Sequence, residues 1–125
     1  MRGFLLDTNV ALWLLGDHER VSGAAVEALE DEANEIALSA VSVWEIAIKR
    51  SLGKLIVDDR WSDALRRLGF DPMPVTALHA EAVEQLPWHH RDPFDRMLVA
   101  QALVEERALV SADPRFAAYG VEVIW

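Results

Sequence analysis

The chain predicts a three-layer α/β/α fold with a small central parallel sheet. Short, uniformly apolar runs of strand length alternate along it with longer stretches of helical periodicity. Those runs show no inside–outside alternation, as expected of strands covered on both faces. Helix punctuation stands where the pattern requires it, with glycines at 16, 53 and 69 and Asp92-Pro93 as a start signal.

The first strand is Gly3 to Leu6, and Thr8 to Leu15 has helical length before Gly16. Ser22 to Asn34 sets Ala25, Val26, Leu29 and Ala33 at helical spacing against Glu27, Glu30, Asp31 and Glu32, which predicts an amphipathic helix. Ile36 to Leu38 is a second strand. Ser39 or Ser42 can cap the next helix, which runs through VSVWEIAIKRSL to Gly53. Asp59 to Leu68 is a further amphipathic helix closed by Gly69. The segment DPMPVT is extended, because Pro72 and Pro74 forbid a helix interior. Ala77 to Gln85 is helical and PWHHRDP is a loop. The helix opened by Asp92-Pro93 continues to about Glu106. Ala108 to Val110 and Glu122 to Ile124 are strands flanking the turn SADPRF.

With 125 residues the chain makes one domain, 1–125, able to bury a real core. It holds no cysteine, which removes disulfides and thiolate metal sites and is compatible with a cytoplasmic setting. Arg2 and the apolar residues after it imitate a secretion signal, but Asp7 interrupts the run and no small-residue cleavage pattern follows. The uncharged stretch Thr8 to Gly16 is too short to span a bilayer, so a soluble, unprocessed protein is expected. The net charge of −9, from 21 acids against 12 bases, excludes gripping nucleic acid by a broad basic surface. It leaves room for an acidic site that meets phosphates through cations.

Four acids stand out. Asp7 follows the first strand directly, and Asp113 lies three residues beyond Val110. In parallel sheets that carboxyl edge is where ligands bind. An Asp at either place is also an ordinary helix cap or turn residue. Asp92 already serves as a cap, so Asp95 falls in the first helical turn, in line with Leu98, Val99 and Ala102. There it is either a capping-box acid or a ligand-bearing group. Glu45 shares a stripe with Ser42 and Lys49, which by itself reads as a solvated helix face.

The segments LLDTNVALWLL, SAVSVWEIAIKRSLGKL, HHRDPFDRMLVAQA and ALVSADPRF together resemble the PIN-domain family. Within it the chain is most similar to the VapC-type toxins of bacterial toxin–antitoxin pairs. The likeness covers nearly the whole chain, with four motifs in the family's order. It implies a metal-dependent ribonuclease using a carboxylate cluster, carried over to Asp7, Glu45, Asp95 and Asp113. It implies Mg²⁺ or Mn²⁺, hard ions that prefer oxygen ligands and suit phosphodiester chemistry. Asp7 and Asp95 would lie closest to the ion, Glu45 and Asp113 farther out. Thr8 and Asn9 would support the site or touch a substrate phosphate, and Ser111 stands where many relatives have Thr. The implied partners are an RNA substrate, a VapB-type antitoxin whose basic segment meets the acidic pocket, and a second copy in a homodimer.

Two other functions compete. A haloacid-dehalogenase-type phosphatase also has an Asp after its first strand, but needs a second Asp two positions on, where this chain has Asn9. A PIN-like interaction module that no longer cuts would be expected to lack a carboxylate, and none is missing. His89 and His90 are expected on a surface loop. Lys49, Arg96 and Arg115 are expected to pair with cluster acids or to touch RNA phosphate. Trp13, Trp44, Trp61 and Trp88 read as core or interface residues, with Trp13 the best interface candidate.

Overall fold

A computed structural model of the chain describes residues 2–125. Five parallel strands form one sheet in the order β3-β2-β1-β4-β5. They are β1 (Gly3–Leu6), β2 (Glu35–Ser39), β3 (Asp71–Met73), β4 (Ala108–Val110) and β5 (Val123–Ile124). The helices are α1 (Thr8–Gly16), α2 (Gly23–Glu30), α3 (Ala40–Ser51), α4 (Trp61–Arg67), α5 (Ala77–Ala82) and α6 (Pro93–Val104), joined by short 3₁₀ turns.

Strand period sorts the core into two layers. Phe4, Leu6, Ile36, Ala108 and Val110 face one side, against Val10 and Ala11 of α1, Ala25 of α2, Ile46 of α3 and Leu65 of α4. Leu5, Ala37 and Leu109 face the other, against Leu98, Val99 and Ala102 of α6 and the aromatics Phe116 and Tyr119. α3 serves both layers, with Ile46 in the first and Val41 in the second. β1 lies at the sheet's centre, with Leu5 paired to Ala37 on one side and to Leu109 on the other. The expected three-layer α/β fold is therefore the one observed.

Three segments differ from expectation. DPMPVT contributes a strand, β3, with Leu38 opposite Pro72. Pro72 is tolerated because β3 is an edge strand whose other side needs no donors. α2 stops at Glu30, four residues before Asn34. The Asp31 carboxylate accepts the Ala33 N–H at 2.9 Å, and Asn34 Nδ2 donates to the Ala28 carbonyl at 3.0 Å. Those local bonds replace the next helical turn. The turn SADPRF continues into a 3₁₀ helix, Pro114–Tyr119, closed by Gly120 at φ 81°.

Candidate active site

The four acids converge on one cleft of about 170 Å³ at the carboxyl edge of the sheet. Asp7 is placed there because its N–H donates to the Val110 carbonyl at 3.0 Å, extending the β1–β4 ladder by one residue. It occupies the N-cap position of α1, yet its carboxylate caps nothing. Instead Ser111 Oγ donates to Asp7 Oδ2 at 2.7 Å and accepts the Asp113 N–H at 3.0 Å. One hydroxyl thus fixes two acids 106 positions apart in the chain. Thr8 lies buried behind them and donates to Ser42 Oγ at 2.9 Å, tying α1 to the start of α3.

Glu45 sits one and a half turns into α3, and its expected solvated face is buried: only 6% of the residue is exposed. Lys49 Nζ pairs with Oε2. Oε1 is buried without any hydrogen-bond partner, the sole such side-chain atom among the described residues. Asp92, with Pro93 behind it, caps α6 through the N–H groups of Phe94 and Asp95. Asp95 is therefore spared capping, and its carboxylate points into the cleft without a hydrogen bond among the described residues. Asp113 caps the 3₁₀ helix after β4 and takes three contacts from the Arg115 guanidinium, the shortest at 2.8 Å.

Proton affinities follow from these surroundings. Burial, then the negative charge of Asp92, Asp7, Glu45 and Asp113, pushes Asp95 from 3.8 up to about 7. Burial also raises Asp7, against the Ser111 hydrogen bond, which lowers it. The Arg115 guanidinium holds Asp113 well below the usual carboxylate range. Lys49 is raised by its bond to Glu45. The cleft lining holds five acids against two bases, a formal charge of −3 when all are ionised.

This donor set fits a hard divalent cation. It offers oxygens almost exclusively, one of them buried and unpartnered, beside a carboxylate that burial and neighbouring negative charge keep from ionising. Asn9 is exposed on the rim, as are Lys49 and Arg115 in part.

The expectations for neighbouring residues divide. Lys49 and Arg115 do pair with cluster acids. Arg96 does neither of the things expected of it: it is buried, donates to the carbonyls of Val83, Leu86 and Pro87, and lies 3.7 Å from the Trp88 ring centroid. His89 is exposed as expected, but His90 is not on the surface. Phe116 and Tyr119 enclose it, and its Nε2 lies 3.2 Å from Asp113 Oδ2. Ligand atoms of His90, Asp95 and Asp113 all fall within 4.8 Å of one another. Trp13 lines the cleft and packs on Trp125 at 5.6 Å, whereas Trp44 is 59% exposed beside Phe94. Trp61 joins the core and Trp88 is exposed.

A parallel sheet with carboxylates gathered at its carboxyl edge defines a class of α/β proteins whose acidic cleft suits a divalent cation, and sequence comparison gives the chain a family. The PIN domain matches residues 4–122, and the chain belongs to that family of nucleases. Ribonuclease VapC22 of Mycobacterium tuberculosis is 31% identical over 122 residues, covering 92% of this chain and 90% of the relative. VapBC2 from Rickettsia felis, solved bound to a DNA fragment from its promoter, superposes with a TM-score of 0.75 at 17% identity, covering 97% and 96% of the two chains. DNA-bound VapBC from Salmonella typhimurium superposes with a TM-score of 0.71 at 16% identity, covering 98% and 97%. Among the described residues no helix is long and apolar enough to cross a membrane.

Proposed function

We propose that this protein is a Mg²⁺- or Mn²⁺-dependent endoribonuclease that acts as the toxin of a toxin–antitoxin pair, with Asp7, Glu45, Asp95 and Asp113 as its working carboxylates. The observation that carries the reading is Glu45, which lines the same cleft as Asp7 and Asp95 and keeps one carboxylate oxygen buried and unpartnered. A scaffold that had lost its chemistry would have no use for so much uncompensated charge. The phosphatase alternative loses ground because position 9 is an exposed Asn.

Asp7 and Asp95 would hold the ion, with Glu45 and Asp113 at its flanks. When bound, the cation would neutralise charge on the scissile phosphate and activate the attacking water. The protein's own groups do the rest. Ser111 fixes the Asp7 carboxylate, and the Thr8–Ser42 bond holds α1 and α3 together beneath it. Lys49 and Arg115 are each committed to a carboxylate and each reach the cleft, so they are placed to turn to phosphate oxygens once a cation takes over those acids. With the cation missing, the net negative lining repels RNA.

The relatives named VapBC are complexes of a toxin with its antitoxin, and a VapB-type partner is proposed here as well. The chain's charge of −9 suits a basic segment at the cleft. Trp13, on the cleft wall, is the anchor expected to lose about 2 kcal/mol of partner affinity on Trp13→Ala. Unchanged affinity would assign Trp13 to the monomer's packing on Trp125. The free protein is expected to be a homodimer, which sedimentation velocity checks directly.

Incubation of purified protein with RNA tests the central reading. Cleavage should require Mn²⁺ or Mg²⁺, stop with chelator, and fall by about 10²-fold or more in Asp7→Asn protein. Undiminished cutting by that variant would remove Asp7 from the mechanism.

A further inference from the structure

We infer that His90 is a positioning residue for Asp113, presenting it to the cleft through an Nε2–H donor while Tyr119 holds the other ring nitrogen. The inference rests on the proposed membership of Asp113 in the cation centre.

The Asp113 carboxylate can only accept, so a neutral imidazole facing it carries its proton on Nε2 and leaves Nδ1 to accept from Tyr119. The His90 backbone N–H donates to Tyr119 Oη at 2.8 Å. That oxygen keeps its own proton to give, and His90 Nδ1 lies 3.1 Å away. With Nδ1 accepting, the ring proton of neutral imidazole resides on Nε2, 3.2 Å from Asp113 Oδ2. The ring has little freedom to leave this arrangement. Its side chain is 1% exposed, and it lies 4.8 Å from the Phe116 ring and 5.5 Å from that of Tyr119.

Arg115 is the other side chain on Asp113, but 62% of it is exposed. An exposed ion pair exchanges with solvent and contributes little to holding a carboxylate in place. Arg115 is also the group placed to leave for a phosphate. When it does, His90 is the side-chain donor that stays, with the Arg115 backbone N–H on Oδ1 at 2.9 Å. The same Asp113 hydrogen bond brings a third ligand-type atom beside Asp95, within the 4.8 Å cluster. Groups that orient a metal-binding carboxylate typically change affinity by about 10- to 100-fold when removed.

Titration calorimetry with Mn²⁺ and single-turnover RNA cleavage would be run on wild type, His90→Phe, His90→Gln, Tyr119→Phe and Asp113→Asn. His90→Phe should weaken Mn²⁺ binding by about 10-fold or more. It should also lower kcat with KM for RNA nearly unchanged. His90→Gln, which keeps a donor, should recover most of both. Tyr119→Phe keeps the aromatic ring but removes the hydroxyl that holds the His90 backbone N–H and Nδ1, and should fall between them. Wild-type Mn²⁺ affinity and kcat in folded His90→Phe and Tyr119→Phe proteins would overturn the inference. So would a His90→Gln protein as impaired as His90→Phe and shifted from Mn²⁺ towards Mg²⁺, since that makes His90 a ligand in its own right. If Asp113→Asn itself leaves Mn²⁺ affinity and cleavage unchanged while Asp7→Asn abolishes them, the role of Asp113 fails and the wider reading of the cleft survives.

Discussion

Helix α6 carries a buried polar cluster near each of its ends, and the two are built to opposite rules. Towards its C-terminus, Ser39 Oγ donates to Gln101 Oε1 at 2.6 Å, and Gln101 Nε2 donates to the Pro74 carbonyl at 3.3 Å. His79 Nδ1 accepts the Thr76 N–H at 3.1 Å, and its Nε2 meets Glu105 Oε1 at 2.8 Å. Donors and acceptors there are matched. At the N-terminus, the Asp95 carboxylate and Glu45 Oε1 have no hydrogen-bond partner among the described residues, and Asp95 resists ionisation. The contrast teaches that burial of polar groups is not by itself a mark of function. A satisfied network holds elements together, whereas an unsatisfied one stores a demand that a ligand must meet.

The comparison can be broken or sharpened by substitution. The largest effect on stability is expected at the satisfied cluster. Gln101→Leu strands Ser39 and the Pro74 carbonyl, and should cost about 1–3 kcal/mol in denaturant unfolding. Mn²⁺ affinity in calorimetry should stay at the wild-type value. Lost affinity with unchanged stability would show that the two ends of α6 are not separable.

A smaller change of opposite sign is expected at the unsatisfied cluster. Asp95→Asn should melt above wild type in chelator, because it removes one member of a repelling set, and should gain less from Mn²⁺. The pH dependence follows from the same shift. Asp95 binds its proton more tightly folded, at about 7, than unfolded, near 3.8. Protonation therefore favours the folded state, and metal-free protein should lose stability as pH rises from about 4 through 7. Asp7, also raised, acts in the same direction. Saturating Mn²⁺ should abolish or reverse that slope, since the ion binds the ionised carboxylates. A chelated protein that grows steadily more stable across that range in thermal scans would contradict the unmatched-charge account.

The smallest effect is expected one turn away. Asp92→Asn keeps the cap, since Asn and Asp cap comparably, so stability should stay within about 0.5 kcal/mol and cleavage should persist. Loss of cleavage in that variant alone would mean that Asp92 rather than Asp95 serves the cation.

What could be read from the sequence was local. β1, α1 and the Asp92-Pro93 start of α6 carry their punctuation in adjacent residues, and each element begins where that punctuation stands. Asp7 and Asp113 stood out at strand ends and Asp95 in the first turn of its helix, whereas Glu45 entered only through the family resemblance. His90 escaped because what buries it, Phe116 and Tyr119, lies 26 and 29 positions on and gives no sign near residue 90. β3 escaped as a strand for a related reason: Asp71-Pro72-Met73 has no strand propensity of its own and is recruited by β2. Glu45 looked solvated on its helix because the covering wall comes from other elements.

The sheet order also sets a schedule. β1 is made first and sits in the middle, so the edge of it that carries the Asp7 ladder bond stays open until β4 exists. Ser111, which aims Asp7, and Asp113 both follow β4 directly. A growing polypeptide on the ribosome would thus expose three of its four acids without the strand that draws them together. The four acids are drawn together only once β4 has been made and has docked on β1.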